Sequence, residues 1–178
     1  MSMEIVDLDG TMLDAAAKLL VDEFDARVGW PSLAAAREEV DFLIREGFAR
    51  AAIEDDVVLG WIGGLPEYDG RVWELHPLVV RRDRRRRGIG RRLVEAFEAE
   101  ARARGAYTVT LGTDDVSGMT SLSEVDLYPD VAGHLRDLRD LGRSHPFLFY
   151  LELGYVVTGV LPDANGPGKP DIFMSKRV

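Results

Sequence analysis

A strand, a turn rich in arginine and glycine, a helix and a further strand follow one another in the middle of this chain of 178 residues. Residues 72 to 80 (VWELHPLVV) have strand character, and residues 107 to 112 (YTVTLG) form a second strand-like run. Between them, residues 89 to 104 place apolar side chains at helical spacing. Because strand, helix and strand in this order form a βαβ unit, the sequence predicts an α/β fold.

The rest of the chain adds strands and helices around this unit. The patterns predict strands at residues 3 to 8, 49 to 54, 57 to 65, 155 to 161 and 171 to 178, and helices at residues 11 to 27, 32 to 47 and 145 to 153. Ser32 is the candidate N-cap of the second helix, and residues 131 to 141 show only a weak helical pattern. The acidic turn Asp55-Asp56 joins two of these strands into a hairpin. No linker or repeat interrupts the chain, so we expect one α/β (α+β) domain over residues 1 to 178 with about seven strands and about four helices.

Composition restricts the chemistry available to the chain. Hydrophobic residues make up 46% and charged residues 30%, which is typical of a soluble globular protein. No apolar run reaches the ~18 residues of a membrane span, and the first residues lack a leader pattern, so we expect a cytoplasmic protein without membrane contact. The absence of cysteine excludes disulfides and a thiolate nucleophile, and with only three widely spaced histidines no metal site is expected.

Basic residues are concentrated in one segment. Eight of the 22 basic residues lie between Arg81 and Arg92 and give a local charge of +7 in a chain whose net charge is -9, which leaves -16 on the remaining residues. Nucleic-acid binders usually spread basic charge over a face, because their affinity comes from many phosphate contacts. The pattern therefore favours one compact anion at this segment and a cationic partner for the acidic remainder, and no nucleic acid is expected.

The same segment carries glycines where a helix begins. Backbone N–H groups at a helix N-terminus are unpaired and lie at the positive end of the helix dipole, and glycine allows a phosphate to approach them closely. Residues 85 to 90 (RRRGIG) have these properties, although they match neither a Walker A loop nor a dinucleotide-binding fingerprint. The alternative is a solvated arginine turn in which Gly88 and Gly90 only cap the helix.

Arg85, Gly88 and Gly90 fit the pattern Arg/Gln-x-x-Gly-x-Gly/Ala between a strand and a helix. In this pattern and in its order of elements the chain resembles the GCN5-related N-acetyltransferases (GNAT), which bind the pyrophosphate of acyl-CoA there. Five blocks look like those of aminoglycoside 6'-N-acetyltransferases, namely residues 73 to 80, 111 to 115, 120 to 128, 145 to 155 and 159 to 176.

The resemblance implies an enzyme, its cosubstrate and its acceptor. The fold would be the GNAT fold, with a mixed central sheet splayed between strands 4 and 5, and the chain would form a homodimer. Acetyl-CoA would donate its acetyl group by direct attack in a ternary complex to an amine of a cationic small molecule, above all the 6'-amine of an aminoglycoside. The implied CoA-binding residues are Leu78, Val79, Val80, Arg85, Arg86, Arg87, Gly88, Ile89, Gly90, Arg91 and Tyr150.

Pro77 interrupts an otherwise regular central strand. Proline donates no ladder hydrogen bond, so the strand must part from a neighbour near residues 76 to 78. The resemblance implies that this is the splay between strands 4 and 5, where the pantetheine arm lies like an additional strand. The alternative is that Pro77 marks only a local bulge.

Four residues are candidates for catalysis. Glu74 precedes the break in the strand and is the candidate base, acting through water or mainly as an anchor for the substrate ammonium, because a carboxylate is a far weaker base than an amine. His76 lies two residues on, hence on the same face, and is either part of the proton path or a buried, hydrogen-bonded histidine. The resemblance implies that the backbone N–H of Leu78 polarises the thioester carbonyl. It also implies that Tyr150 protonates the thiolate, whereas the alternative is that Tyr150 is an ordinary core aromatic.

A polycationic acceptor requires acidic groups around it. Asp114 and Asp115 end a strand where they could face a cleft, and Trp30 and Tyr68 are candidate walls for a sugar ring. In a chain this acidic, each carboxylate is alternatively a solvated surface group. An acidic cleft suits other cations equally well, so a polyamine or a lysine-rich peptide or protein remains an alternative acceptor, and a CoA-responsive binding module without turnover is a further alternative.

Residues 114 to 144 show the weakest pattern, and a long segment of this kind is usually functional. Glu124 and Asp126 lie in it as further acidic candidates. Residues 162 to 170 (PDANGPGKP) are either a plain β-hairpin turn or, as the resemblance suggests, part of a dimer interface near the active site.

Overall fold

The computed structural model describes residues 3–24, 27 and 29–178. The strands are β1 (Glu4–Asp7), β2 (Phe48–Glu54), β3 (Val57–Glu67), β4 (Val72–Val80), β5 (Thr108–Asp114), β6 (Val156–Leu161) and β7 (Asp171–Arg177). The helices are α1 (Leu13–Glu23), α2 (Leu33–Glu46), α3 (Ile89–Ala103), α4 (Val131–Arg136) and α5 (Phe147–Glu152), with single 3₁₀ turns at Tyr68–Gly70 and Arg82–Arg84. This order confirms the α/β fold with about seven strands. Of the predicted first helix, residues 25 and 26 lie outside the described ranges.

Contacts within the chain divide it into two compact units, residues 1–109 with 177–178 and residues 110–176. In the first unit the strand order is β1-β2-β3-β4, and each strand is antiparallel to the next. In the second unit the order is β5-β7-β6, with β6 and β7 antiparallel. The single domain over residues 1 to 178 and the splay between strands 4 and 5 stay predictions.

Helices α1 and α2 pack on the sheet of the first unit through their apolar faces. Their buried side chains share one core with Trp61 of β3, which is fully buried. The indole N–H of Trp61 donates to the carbonyl of Ala16 in α1 at 3.0 Å, so its polar group is satisfied inside the core. Ser32 caps α2 as the sequence predicts, because its hydroxyl accepts the N–H of Ala35 at 3.1 Å.

Helix α3 approaches the sheet of the first unit closely where a glycine carries no side chain. The ring of Phe97 in α3 is fully buried, with its centroid 4.7 Å from that of Phe48 in β2. A Cβ at Gly64 in β3 would overlap the carbonyl oxygen of Glu74 and come within 2.6 Å of the Phe97 ring. Glycine at this position therefore permits the close approach of α3 and of the β4 backbone.

Strand β4 departs from regular pairing at Pro77. In the β3–β4 register, Leu78 lies opposite Ile62, whereas Leu75 lies opposite Gly64. His76 and Pro77 thus face one residue of β3 between these pairs, which is a β-bulge on β4, and the peptide bond between them is cis. The proline of the sequence therefore does mark a bulge on the side of β3. The opening on the side of β5 stays a prediction.

Residues 114 to 144 are ordered by carboxylates that accept backbone N–H groups. Asp130 caps α4 by accepting the N–H of Gly133 at 2.9 Å. Asp140 accepts the N–H groups of Gly142, Ser144 and His145 at 2.8, 3.2 and 2.9 Å. Such local bonds satisfy the backbone without a strand or a long helix, so the segment has defined structure but no periodic sequence pattern.

Residues 162 to 170 connect the antiparallel strands β6 and β7 and therefore form a β-hairpin connection. Asp163 accepts the N–H of Gly168 at 2.7 Å, and the carbonyl of Gly168 accepts the N–H of Glu124 at 2.9 Å. The connection is thus fixed to the segment that contains α4, and its place in a dimer interface stays a prediction. None of the helices in the described ranges is both long and apolar enough to cross a membrane.

Candidate active site

The turn between β4 and α3, which we call the Arg/Gly turn (residues 81 to 91), leaves the backbone donors at the start of α3 without a side-chain cap. Arg86 has a φ of 60° and Gly88 a φ of 80°, so the chain reverses sharply before α3 begins at Ile89. No side chain caps this helix N-terminus, and a Cβ at Gly88 would meet nothing within 4 Å. The first N–H groups of α3 therefore have no side-chain partner and lie at the positive end of the helix dipole.

Half of the eight arginines between Arg81 and Arg92 pair with carboxylates inside the first unit. Four of them pair with carboxylates: Arg81 with Asp83 at 3.0 Å, Arg82 and Arg85 with Glu23 at 3.8 and 2.7 Å, and Arg84 with Glu54 at 2.9 Å. A further one, Arg92, donates to the carbonyl of Met3 at 3.2 Å. Because Asp83 is already counted in the local charge of +7, the two further carboxylates, Glu23 and Glu54, lower it to +5.

Arg86, Arg87 and Arg91 are exposed, and within the described part of the chain none of their side chains makes a hydrogen bond or an ion pair. All three lie in the Arg/Gly turn or in the first turn of α3. The unpaired positive charge therefore coincides with the unpaired backbone donors, which is the arrangement that an anion requires.

Glu74, His76, Leu78 and Val80 share the less buried face of β4, because they alternate with buried neighbours along the strand. Val79 points the other way and is 3% exposed within the core. Of the residues predicted from the sequence on this strand, Val79 can therefore reach a ligand only through its backbone, whereas the side chains of the other four are partly accessible.

His76 belongs to a cluster that the sequence did not predict. Its Nε2 lies 3.5 Å from Oε1 of Glu39 in α2, and its ring centroid is 5.9 Å from that of Trp30. The hydrogen bond from His76 is the main cause that holds the pKa of the Glu39 carboxyl below its usual range, and a hydrogen bond from Trp30 acts in the same direction. The predicted candidates Trp30 and His76 are thus brought together by a third residue, and His76 is about half exposed rather than buried.

Tyr68 lies in the 3₁₀ turn between β3 and β4 and is 75% exposed. In the described ranges it makes no aromatic contact, so the structure does not bring it to Trp30 or His76. Its role as a wall for the acceptor stays a prediction.

The two aspartates at the end of β5 have different environments. Asp114 is exposed and accepts a hydrogen bond from the side-chain amide of Asn165 at 2.5 Å. Asp115 is 1% exposed and accepts the N–H groups of Met119 and Thr120 at 2.8 and 2.7 Å and the hydroxyl of Ser123 at 2.6 Å. These hydrogen bonds outweigh burial, so the pKa of Asp115 is lowered. This geometry favours a role for Asp115 in holding its own loop over direct contact with an acceptor.

His145 lies beside Asp114 and is 1% exposed. Its Nδ1 accepts the N–H of Phe147 at 3.2 Å, so the proton of the neutral ring is on Nε2, which donates to the carbonyl of Asp114 at 3.2 Å. Burial lowers the pKa of His145 and keeps the ring neutral near pH 7. No sequence pattern predicted these contacts of His145, because an isolated histidine before a proline has no distinguishing pattern.

Tyr150 in α5 is 7% exposed, and its ring centroid lies 5.1 Å from that of Phe149 and 5.5 Å from that of Tyr155. Burial raises the pKa of its phenol well above the usual range, so the hydroxyl stays protonated at neutral pH. The hydroxyl makes no hydrogen bond within the described residues. Tyr150 thus has the packing of a core aromatic and retains a proton that it could donate.

A cavity of about 350 Å³ lies elsewhere in the first unit. It contains Glu100, which accepts hydrogen bonds from Arg50 at 2.6 Å and Arg104 at 2.7 Å, and the guanidinium of Arg104 lies 4.8 Å from the centroid of the Phe48 ring. Arg50 also pairs with Asp7, so two carboxylates and two guanidiniums neutralise one another, and no candidate from the sequence lines the cavity. Among the described residues, no group of three or more His, Asp or Glu side chains is arranged to hold a metal ion.

Comparison with known proteins gives a family model and several solved structures. Residues 13–122 match the model of the Acetyltransferase (GNAT) family. An aminoglycoside 6'-N-acetyltransferase complexed with coenzyme A is 39% identical, with a TM-score of 0.86, and the match covers 99% of this chain and 97% of that one. No curated protein matches the chain.

Two further solved structures are similar over nearly their whole length. The aminoglycoside 6'-N-acetyltransferase from Enterococcus faecium is 41% identical with a TM-score of 0.86, and the match covers 98% of this chain and 96% of that one. An aminoglycoside 6'-acetyltransferase type Ii is 37% identical with a TM-score of 0.72 and the same coverage, 98% and 96%.

Proposed function

Since this chain belongs to the Acetyltransferase (GNAT) family, we propose that it transfers the acetyl group of acetyl-CoA to the 6'-amine of an aminoglycoside. The observation that carries the acceptor assignment is the identity of 39% and 41% to two aminoglycoside 6'-N-acetyltransferases over nearly the whole chain. The amine would attack the thioester directly while both substrates are bound.

The Arg/Gly turn fits the diphosphate of CoA. Its uncapped backbone donors lie at the start of α3, and its arginines without a side-chain partner are Arg86, Arg87 and Arg91. These groups would bind the diphosphate by charge-assisted hydrogen bonds. The side chain of Arg85 has two partners within the first unit, Glu23 and the carbonyl of Val80, so Arg85 would contribute through its backbone.

Glu74 and His76 would receive the acceptor amine on the open face of β4. An ammonium must lose a proton before it can attack, and the Glu74 carboxylate would bind it and pass that proton to water. Because Glu39 holds His76, the imidazole would help to orient the acceptor against Trp30 rather than act as a free base. The backbone N–H of Leu78 would polarise the thioester carbonyl.

Tyr150 would protonate the thiolate that leaves as the amide forms. Its raised pKa keeps the proton on the phenol but also makes the phenol a weaker acid. Transfer to the sulfur is therefore favourable only if the thiolate is desolvated too, so that its own pKa is raised by burial. The buried setting of Tyr150 is consistent with such a pairing.

A steady-state thiol-release assay with acetyl-CoA and a panel of amines tests the proposal. The panel contains aminoglycosides with and without a 6'-amine, spermidine and a lysine-rich peptide. We expect turnover only with the antibiotics that carry the 6'-amine. Turnover of spermidine or peptide alone would retain the acetyltransferase and reject the aminoglycoside assignment, and CoA binding without turnover of any amine would indicate a binding module.

The proposed enzyme is a cytoplasmic homodimer that confers antibiotic resistance. These parts of the proposal follow from the resemblance of the chain to aminoglycoside 6'-N-acetyltransferases. Light scattering after size-exclusion chromatography measures the molar mass and so tests whether the protein is a dimer. The minimum inhibitory concentrations of aminoglycosides with and without a 6'-amine, in cells with and without the protein, measure the resistance.

A further inference from the structure

We propose that Glu23 positions the Arg/Gly turn for CoA binding by tying helix α1 to that turn through Arg82 and Arg85. This proposal rests on the proposed use of acetyl-CoA and adds a residue that neither the sequence pattern nor the family motif indicates. Glu23 is the last residue of α1 and lies 59 positions before Arg82 in the chain.

The carboxylate of Glu23 binds two groups at the start of the Arg/Gly turn. Oε1 of Glu23 accepts the backbone N–H of Arg82 at 2.9 Å, and Oε2 accepts Nη2 of Arg85 at 2.7 Å. Nε of Arg85 donates in turn to the carbonyl of Val80 at 2.9 Å. The end of β4, the 3₁₀ turn and the motif arginine are thus held at fixed positions relative to α1.

Glu23 is more buried than the other carboxylate of the turn, which makes its hydrogen bonds stronger. Its side chain is 12% exposed, whereas Asp83, which pairs with Arg81, is 59% exposed. A charge-assisted hydrogen bond at a nearly buried carboxylate is less screened by water and salt than one on the surface. The chain then reverses through the positive φ of Arg86 and Gly88, so the position of the α3 amides depends on where this segment begins.

A carboxylate next to an anion-binding turn has two opposite effects. Its charge repels a diphosphate and cancels that of Arg85, which weakens binding, while its hydrogen bonds preorganise the donors, which strengthens binding. Our proposal is that the second effect dominates. If the first effect dominated, removal of the carboxylate would release Arg85 and tighten CoA binding.

Titration calorimetry of CoA with the variants Glu23→Ala and Glu23→Gln decides between these effects. We expect Glu23→Ala to raise the Kd of CoA about tenfold, the effect of losing hydrogen bonds to a charged group, and Glu23→Gln to raise it less, because its amide oxygen still accepts a hydrogen bond. In turnover, the KM for acetyl-CoA should rise in parallel, while kcat and the KM of the acceptor stay within about twofold.

Glu54→Gln is the matched control, since it removes the carboxylate from the neighbouring Arg84 without touching Arg82 or Arg85. We expect it to leave the Kd of CoA unchanged.

Thermal denaturation shows whether each variant is folded, and Glu23→Gln, which keeps the size of the side chain, serves if Glu23→Ala does not fold. An unchanged or lower Kd of CoA in a folded Glu23 variant would overturn the proposal. A wild-type protein that binds no CoA would overturn the proposed function and this inference with it, whereas CoA binding without turnover of aminoglycosides would leave this inference intact.

Discussion

At the scale of single residues, burial and hydrogen bonding change the proton affinity of several side chains in the second unit. Burial lowers the pKa of His145, and hydrogen bonds lower those of Asp115 and Asp140, while burial raises that of Tyr150. Each shift couples a protonation state to the folded structure. The pKa shifts of His145 and Tyr150 therefore lead to two testable predictions.

His145 should make the protein less stable as the pH falls. Its pKa is lowered in the folded state from 6.5, so the unfolded chain binds a proton more readily, and the contribution of the neutral ring to stability is complete above pH 6.5 and lost below it. We expect the Tm to fall between pH 7 and pH 5 and this slope to be smaller in His145→Gln. His134→Gln, which removes a histidine from α4, should keep the wild-type slope. An equal slope in His145→Gln would contradict the expectation.

Tyr150→Phe should lower kcat by about 10²-fold, the typical contribution of a general acid, with little effect on Tm because the ring packing is kept. Because the pKa of Tyr150 is raised above its usual 10.0, ionisation of this phenol should not reduce kcat up to pH 9. Steady-state kinetics and thermal denaturation measure both quantities. Tyr128→Phe changes an exposed tyrosine of the same unit and is the control. A kcat that Tyr150→Phe leaves unchanged would mean that Tyr150 is only a core aromatic.

At the scale of the elements, α3 and the turn before it combine backbone donors with unpaired charge. Arg87→Ala and Arg91→Ala should each raise the KM of acetyl-CoA by about 3- to 10-fold without changing the KM of the acceptor, because each removes one charged partner of the diphosphate. Arg81→Ala is the matched control, because Arg81 already pairs with Asp83. This substitution should have little effect on the KM of acetyl-CoA. Equal effects of all three substitutions would show that overall charge, rather than position, determines CoA affinity.

The sequence predicted the elements well where packing makes a pattern periodic. The apolar spacing of α3, the N-cap at Ser32 and the hairpin at Asp55-Asp56 all correspond to elements or turns of the structure. It did not predict the structure of residues 114 to 144, because the bonds from Asp115 and Asp140 to nearby N–H groups create no periodicity.

The candidate site was predictable only where a motif or a strand break marks it. Glu23 and Glu39 were missed, because an acidic residue near the end or on one face of a helix is ordinary in a chain with 30% charged residues. Asp115 was expected at the acceptor, yet its three hydrogen bonds depend on the fold of the loop that follows it. The partners of Glu23 and Glu39 lie far away in the sequence, so sequence spacing carried no information about these two residues.

At the scale of the whole molecule, basic and acidic charge are separated: the basic segment would bind the anionic CoA, and the acidic remainder would attract the cationic acceptor. The residues outside 81 to 92 carry -16, so a polycationic acceptor should be attracted at long range. We expect the KM of a 6'-amino aminoglycoside to rise several-fold between about 0.05 and 0.5 M ionic strength, as the Debye length falls from roughly 14 Å to 4 Å. Kinetics at constant pH measure it, and a KM that does not change with salt would rule out this attraction.

The same separation of charge predicts no binding of duplex DNA at physiological salt. In the described part of the basic segment, Arg86, Arg87 and Arg91 have no side-chain partner and Arg92 donates only to a neutral carbonyl, which leaves too few free charges for the many phosphate contacts of a DNA site. A gel-shift titration at about 0.15 M salt tests this expectation. A salt-dependent shift that disappears when these arginines are replaced by alanine would contradict it.

Gly64 gives the compact first unit a position that tolerates no variation. Any Cβ there would meet the Glu74 carbonyl and the Phe97 ring, whereas a Cβ at Gly10 would meet nothing within 4 Å. In a library that randomises every codon under antibiotic selection, survivors should keep glycine at 64 and accept many residues at 10. A purely genetic readout would then mark Gly64 as essential, although its importance would lie in the path of the backbone behind Glu74 and not in any contact with drug or cosubstrate.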